Sequence, residues 1–178
     1  MEKIKSFTVN HTNLMPGVYV SRTDCVSAQD AFSSLGSDVA PHDALDEATL
    51  YPITTYDIRI TRPNREPVMG TGEIHTIEHL GATYLRNRAD LKCRVIYWGP
   101  MGCRTGFYLI LAGAVPAETV LGLMIEVFDF IAGFEGDIPG ATPAECGNCT
   151  DMDLPAAKIR AARYRDTLRN NPVTFYPE

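Results

Sequence analysis

The residues most suited to chemistry are two histidines with a glutamate between them. His75 and His79 are four positions apart, so on an α-helix of about 3.6 residues per turn both project from one face. Glu78 follows His75 by three positions and lies on the same side, where a carboxylate can move protons beside a bound metal. Only four histidines occur in the 178 residues, and two of them fall here. The order His-x-x-Glu-His therefore predicts a helical metal site.

The third ligand of such a site must come from elsewhere, because a catalytic metal usually takes three protein ligands and leaves one position open. The candidates are Glu145 and Cys146. Glu145 would give a peptidase site of the His-x-x-Glu-His class, whereas Cys146 would give a His-His-Cys site with a more electron-rich metal. Cys149 completes a Cys-x-x-Cys spacing, but the second pair of a structural zinc site is missing from the sequence. We assign Cys149 no role.

A second centre of chemistry is Cys103, which follows the turn residues Gly99-Pro100-Met101-Gly102. Loops run over the surface, so this cysteine is poorly placed for core packing, unlike Cys93, which is predicted to lie inside a strand. Arg104 is adjacent and Arg59 could lie nearby, and either cation would favour the thiolate. Cys103 is therefore predicted to be a reactive thiol.

These residues must be positioned by helices and strands, and the sequence pattern predicts a single α+β domain over residues 1–178. In this domain an antiparallel sheet packs against three or so helices. Strands are predicted where β-forming residues alternate or cluster between turn residues, and helices where apolar residues recur three or four positions apart. An acidic segment at about 23–54 is predicted to be a surface excursion, mostly loop, without an assigned function. The predicted strands are 6–9, 17–22, 56–61, 92–98 and 104–111, and the predicted helices are about 73–87, 116–133 and 154 onward.

Composition excludes several classes of function. A formal net charge of -6 argues against nucleic acid as a partner, because phosphate binding needs a basic face. The most apolar region, 107–134, is interrupted by proline and acidic residues, so no membrane span is predicted. The first residues lack the apolar run of a secretory signal. The five cysteines, an odd number, are therefore expected to stay reduced. We expect a cytoplasmic protein.

Four segments stand out when they are taken together: His75-Thr76-Ile77-Glu78-His79-Leu80, Pro100-Met101-Gly102-Cys103-Arg104-Thr105-Gly106, Asp57-Ile58-Arg59 and Cys146-Gly147. Together they resemble one family, the S-ribosylhomocysteine lyases or LuxS family. Ser6, Phe7 and His11 also match the N-terminal segment of that family. The resemblance spans about residues 6–165, and the joint presence of its two central motifs is highly specific.

The resemblance implies a set of roles. One divalent metal, ferrous iron with zinc or cobalt as substitutes, would be held by His75, His79 and Cys146. Cys103 and Glu78 would be the two proton-transfer residues. The family forms homodimers with sites at the subunit interface, into which Ser6 and His11 reach from the partner chain. The residues implied to bind substrate are Ser6, His11, Arg59 and Arg86.

The implied reaction cleaves the thioether of S-ribosylhomocysteine to homocysteine and dihydroxypentanedione, the precursor of a quorum-sensing autoinducer. The sugar carbonyl must migrate along the chain before β-elimination, which requires Lewis acidity and bases on two sides of the sugar. Tyr97-Trp98-Gly99 stands where many relatives carry Asp-Ile-Ser, and this bears on how the polar end of the substrate is held. The alternatives are a metallopeptidase that uses Glu145 and a metal-binding protein without catalysis.

Overall fold

The computed structural model describes residues 9–27, 50–91 and 93–177, which form four strands and three helices. The predicted α+β architecture is confirmed. Each of the three helices is too short or too polar to cross a membrane, as judged over the described residues. In chain order the elements are β1 (Gly17–Ser27), β2 (Leu50–Arg59), α1 (Thr71–Asn87), β3 (Val95–Pro100), β4 (Gly106–Ala112), α2 (Ala117–Gly133) and α3 (Leu154–Asn170).

The sheet is antiparallel throughout, with the strand order β1-β2-β4-β3. Successive side chains of a strand point to opposite faces. In β2, Tyr56 and Ile58 join the apolar core beneath the helices, so Asp57 and Arg59 lie on the opposite face. Both residues of this second pair are nevertheless almost fully buried. The far face of the sheet therefore holds a buried charged pair.

The helices close the core with the apolar positions that their sequence period predicts. In α2 the apolar residues Val120, Met124 and Phe128 recur every four positions and are buried. In α1, Ile77 and Leu80 are fully buried, while the metal-ligand candidates on the same helix are only half-buried. Helix α3 begins as predicted, because the Asp153 carboxylate accepts a hydrogen bond from the Ala156 N–H at 2.9 Å.

The acidic segment differs from its prediction at both ends. Residues 23–27 pair with residues 50–54 and lengthen β1 and β2, from Thr23 opposite Thr54 to Ser27 opposite Leu50. The prediction of loop was wrong there, because local composition does not show pairing between distant strands. Residues 28–49 lie outside the described part of the chain, as do positions 6–8 of the first predicted strand.

Two further boundaries are corrected by the turns that flank the β3–β4 hairpin. Cys93 lies in an exposed turn before β3, not inside a strand as predicted. The Arg94 and Val95 N–H groups both donate to the Leu91 carbonyl and close this turn. The strand therefore begins only at Val95. Strand β4 likewise begins at Gly106 because the preceding residues belong to the hairpin turn.

Candidate active site

Helix α1 is anchored at its first turn, and this fixes the face that presents the histidines. The Glu73 carboxylate accepts a hydrogen bond from the Gly70 N–H at 3.0 Å, which satisfies a free donor at the helix start. Its other oxygen pairs with Arg160 of α3 at 2.5 Å. One turn further along, His75 and His79 are both half-buried on the same side.

Both imidazoles are oriented by backbone carbonyls. His75 Nδ1 lies 3.0 Å from the carbonyl oxygen of Asp151, and His79 Nδ1 lies 2.8 Å from that of Pro139. A carbonyl can only accept, so each Nδ1 donates its hydrogen and each Nε2 keeps a free lone pair. Such an outer hydrogen bond is typical of metal-binding histidines, since it fixes the tautomer and the ring orientation.

Gly140 allows the second of these contacts. Its φ of +74° lies in the left-handed region, and a Cβ at this position would lie 3.2 Å from His79 Nδ1. Other residues rarely adopt this backbone conformation and would crowd the imidazole. The contact between His75 and the Asp151 carbonyl is held in a different way. The Asp153 N–H donates to the hydroxyl oxygen of Thr76 at 2.9 Å and so holds the segment around Asp151 against α1.

Cys146 completes a cluster of three possible ligands. Its Sγ lies 3.4 Å from His75 Nε2, and the ligand atoms of His75, His79 and Cys146 all lie within 4.8 Å of one another. Ligand atoms of a tetrahedral site with bonds of about 2.0–2.3 Å are about 3.5 Å apart, so this set fits a metal. The Asn148 N–H donates to the same sulfur at 3.4 Å and helps to hold it in place.

Glu145, the alternative third ligand, is not part of this cluster among the described residues. Its carboxylate accepts a hydrogen bond from the Thr142 hydroxyl at 2.8 Å and is exposed. The geometry thus favours the His-His-Cys set over the peptidase set. Imidazole and thiolate ligands suit zinc, iron and cobalt alike.

Cys103 lies at the exposed tip of the β3–β4 hairpin. The hairpin closes through the Met101 N–H to the Gly106 carbonyl at 2.9 Å, and Arg104 within it adopts φ +58°. This left-handed residue turns the chain immediately after Cys103. The thiol lines a cavity of about 450 Å³ together with His11, Arg59 and other residues.

Arg59 reaches this cavity from β2. Its side chain is only 2% exposed and is held by Asp57 through two hydrogen bonds, from Nε at 3.0 Å and from Nη2 at 2.5 Å. Nη1 donates to Thr105 Oγ1 at 2.5 Å and lies 3.9 Å from Cys103 Sγ. Burial works to lower the pKa of Arg59, but the ion pair with Asp57 outweighs it and raises that pKa. The guanidinium therefore stays protonated.

The environment of Cys103 favours its thiolate. Thr105 Oγ1 lies 3.1 Å from the Cys103 Sγ and already accepts from Arg59, so its own hydrogen is directed at the sulfur. Partial burial would raise the pKa of the Cys103 thiol, but the hydrogen bond with Thr105 and the charge of Arg59 outweigh it and lower that pKa. This geometry supports the prediction of a reactive thiol, and the effective cation is Arg59 rather than the adjacent Arg104.

Comparison with known proteins agrees with these features. Residues 39–174 match the family model described as S-ribosylhomocysteinase (LuxS). The chain belongs to the S-ribosylhomocysteinase family. It is similar to an S-ribosylhomocysteine lyase of Finegoldia magna, 48% identical over 100% of both chains. It is also similar to S-ribosylhomocysteine lyases of Clostridium beijerinckii, 49% identical over 96% of this chain and 94% of the relative, and of Phocaeicola vulgatus, 45% identical over 92% and 88%.

The two halves of the site that the family resemblance brings together are separate within one chain. A cavity of about 380 Å³ is lined by His75, Glu78 and His79, and its described lining shares no residue with the cavity of Cys103. The prediction that the metal ligands and Cys103 surround one pocket stays a prediction, because the resemblance places that pocket at the interface of two chains.

Two of the predicted substrate-binding residues lie beside Cys103. His11 and Arg59 line the Cys103 cavity, whereas Ser6 lies outside the described residues. Arg86 is exposed at the end of α1, donates to the Val95 carbonyl at 3.2 Å, and is not among the described residues that line either cavity. Sequence reasoning included Thr105 in the motif around Cys103 but gave it no role, although its place two residues after Cys103 was a usable signal.

Proposed function

We propose that this chain is an S-ribosylhomocysteine lyase that releases homocysteine and dihydroxypentanedione, the precursor of a quorum-sensing autoinducer. The observation that carries this proposal is the close approach of His75 Nε2, a nitrogen of His79 and Cys146 Sγ, in a chain of this family. Support also comes from relatives at 45–49% identity that bear the name S-ribosylhomocysteine lyase.

The metal site is proposed to hold one divalent ion through His75, His79 and Cys146, with iron(II) as the resident metal and zinc or cobalt as substitutes. A bound ion would supply Lewis acidity toward an oxygen of the sugar. The protein fixes both imidazoles by their Nδ1 hydrogen bonds, so that little reorganisation accompanies metal binding. The thiolate ligand requires reduced cysteine, and this supports a cytoplasmic location.

Glu78 and Cys103 are proposed to transfer the protons that carbonyl migration requires. Glu78 lines the metal-site cavity, where its carboxylate can accept a proton from one side of the sugar. Cys103, with its lowered pKa, can accept or return a proton from the other side. Arg59 keeps a positive charge beside the sulfur and holds it in the reactive form. The roles of Ser6, His11 and Arg86 in substrate binding remain part of this proposal.

A homodimer is proposed to complete the site. The Cys103 cavity opens on the sheet face opposite the helices, where Arg59 and Tyr108 lie, whereas the metal-site cavity is built on α1. Because chemistry on one sugar needs both halves, we propose that the Cys103 cavity of one chain closes over the metal-site cavity of its partner. His11 would then enter with Cys103 and Arg59, since all three line one cavity.

The experiment that tests the function combines anaerobic purification, metal analysis and thiol release from S-ribosylhomocysteine, measured with a thiol reagent. The wild type should bind about one metal per chain and release homocysteine. Cys103→Ala should abolish release and keep the metal, because Cys103 is not a ligand. Cys93→Ala is the matched control, since Cys93 is also exposed but lies in neither cavity as described, and it should stay active.

The outcomes separate the alternatives. Full activity of Cys103→Ala contradicts the proposed roles, and a wild type that binds metal but releases no thiol indicates a metal-binding protein without this reaction. For the peptidase alternative, loss of metal in Glu145→Gln together with retention in Cys146→Ser would replace the proposed ligand set.

A further inference from the structure

A buried polar network links Tyr176 to the Cys103 thiol. The Tyr176 hydroxyl donates to Asp57 Oδ2 at 3.4 Å. The Asp57 carboxylate in turn accepts two hydrogen bonds from Arg59. Arg59 Nη1 then donates to Thr105 Oγ1, which bonds to Cys103 Sγ. Each member contacts the next, so a change at Tyr176 can alter the environment of the Cys103 thiol.

The segment that carries Tyr176 is seated on the sheet by specific contacts. The carbonyl of Val173 accepts a hydrogen bond from the Val18 N–H at 2.9 Å. A Cβ on Gly17 would lie 2.5 Å from that same carbonyl oxygen, so a glycine is required for the approach. The Tyr176 ring stacks on that of Tyr19, with centroids 4.7 Å apart and planes within 6°. These contacts set the position of the Tyr176 hydroxyl above Asp57.

The position of the Tyr176 hydroxyl matters because a buried ion pair depends on the hydrogen bonds around it. Asp57 is 4% exposed and Arg59 is 2% exposed. In a site of low dielectric, each hydrogen bond lost by the Asp57 carboxylate is costly, and a less constrained carboxylate holds Arg59 less firmly. The Tyr176 hydroxyl is a second donor to Asp57 Oδ2, beside Arg59 Nη2. Without its hydroxyl, water can reach Asp57, and the guanidinium gains freedom to turn away from the sulfur.

Other titratable groups face this network but do not replace its charge. Burial raises the pKa of Tyr19 to about 12, and it also raises the pKa values of Tyr108, Tyr164 and Tyr176. All four tyrosines therefore stay neutral near pH 7. Arg59 is then balanced chiefly by Asp57. The groups that face the network or line its cavity are His11, Tyr19 of β1, Glu66, Tyr108 of β4, Tyr164 of α3 and Tyr176.

We propose that Tyr176 is a positioning residue, which holds Asp57 and through it fixes the Arg59 guanidinium beside the Cys103 sulfur. The proposal rests on the proposed function for its catalytic meaning. Tyr176 itself touches neither the thiol nor the metal ligands in any hydrogen bond of the described residues. Its effect should therefore be on the reactivity of Cys103 rather than on metal content.

The test measures the rate at which iodoacetamide alkylates Cys103 as a function of pH, with the Cys103 peptide resolved by mass spectrometry. Tyr176→Phe removes the hydroxyl and keeps the ring that stacks on Tyr19. We expect the pH midpoint of alkylation to rise by about half a unit, which is about a threefold lower rate at pH 7. Tyr84→Phe is the matched control, because its hydroxyl bonds to a surface carboxylate of Glu126, and its midpoint should not move.

An unchanged midpoint in Tyr176→Phe overturns the proposal, because loss of the hydroxyl would then have no effect on the thiol. An equal rise in Tyr84→Phe also overturns it, because the effect would be general. Tyr176→Ala, which removes the ring as well, should give a larger rise than Tyr176→Phe. The alkylation needs no substrate, so it decides the role of Tyr176 even if the wild type releases no homocysteine. In active enzyme, the rise of kcat/KM with pH should shift by the same amount in Tyr176→Phe.

Discussion

The separation of the two cavities predicts which chain supplies each half of the active site. Glu78 lines the metal-site cavity, and Cys103 lines the other. Glu78→Gln and Cys103→Ala therefore damage different halves. Glu78 is half-buried and Cys103 is exposed, so neither side chain is part of the core. The variants should therefore fold and dimerise. Each homodimer should be inactive.

Heterodimers of these variants give a quantitative expectation. Two chains with different affinity tags are co-expressed and purified through both tags, so that only heterodimers remain. With Glu78→Gln on one chain and Cys103→Ala on the other, one of the two sites receives both intact residues and the other receives neither. A symmetric dimer should then show about half of the wild-type activity.

The arrangement with both changes on one chain gives the opposite expectation. Beside a wild-type partner, each site then lacks either Glu78 or Cys103, so homocysteine release should be close to zero. If each chain instead builds its site from its own residues, this heterodimer keeps about half of the activity and the first one loses it. That reversed pattern would refute the shared site. A tagged wild-type heterodimer must show full activity, and mass measurement after the assay excludes exchange of chains.

Three single contacts also predict measurable effects. Thr105→Val removes the hydroxyl that bonds to Cys103 Sγ, so the lowered pKa of the Cys103 thiol should rise toward its ordinary value of 9.0. The thiolate is the reactive form, so alkylation at neutral pH should slow and its pH midpoint should rise. Gly140→Ala strains a backbone at φ +74° and crowds His79, and it should weaken metal affinity about tenfold or more in chelator competition. Asp153→Ala removes the cap of α3 and should lower the free energy of unfolding in urea by about 1 kcal/mol.

Each of these changes has a control at another residue of the same type. Thr83→Val removes a hydroxyl that bonds within α1, and it should leave the Cys103 titration unchanged. Gly122→Ala meets no atom within 4 Å and should leave metal affinity unchanged. Asp166→Ala breaks only an exposed ion pair with Arg165 on α3, so it should change the unfolding free energy by less than about 1 kcal/mol. A similar loss of stability at Asp153 and Asp166 would contradict the capping argument.

The helical half of the metal site could be predicted because its determinant is local. His75 and His79 are one helical turn apart, and the period of α1 places them on one face whatever the rest of the fold does. The third position was left open between Glu145 and Cys146, since neighbouring residues of a turn have no such period. The close approach of Cys146 Sγ to His75 Nε2 is a contact across 71 positions of sequence. Only the packed loop can decide it.

The Cys103 half shows the same limit. Alternation along a strand puts Asp57 and Arg59 on one face, but it does not show whether that face is exposed or buried. The structure shows that they pair in a buried position beside the cavity. The partners that complete the network, Thr105 and Tyr176, are 46 positions from Arg59 and 119 positions from Asp57. Strand order and the path of the last residues determine these contacts, and no local pattern encodes them.

The buried Asp57–Arg59 pair is difficult to explain by stability alone. Removal of two charges from water costs several kcal/mol per ion, and a well-packed apolar pair of similar volume is often as stable or more stable. The pair lies on β2, in the middle of the sheet between β1 and β4. The Nε, Nη1 and Nη2 atoms of Arg59 each have an acceptor. An apolar pair could fill the same space, but it could not keep a permanent positive charge 3.9 Å from Cys103 Sγ. The cost is therefore best explained by the thiol, which needs a cation that neither titrates near neutral pH nor turns away.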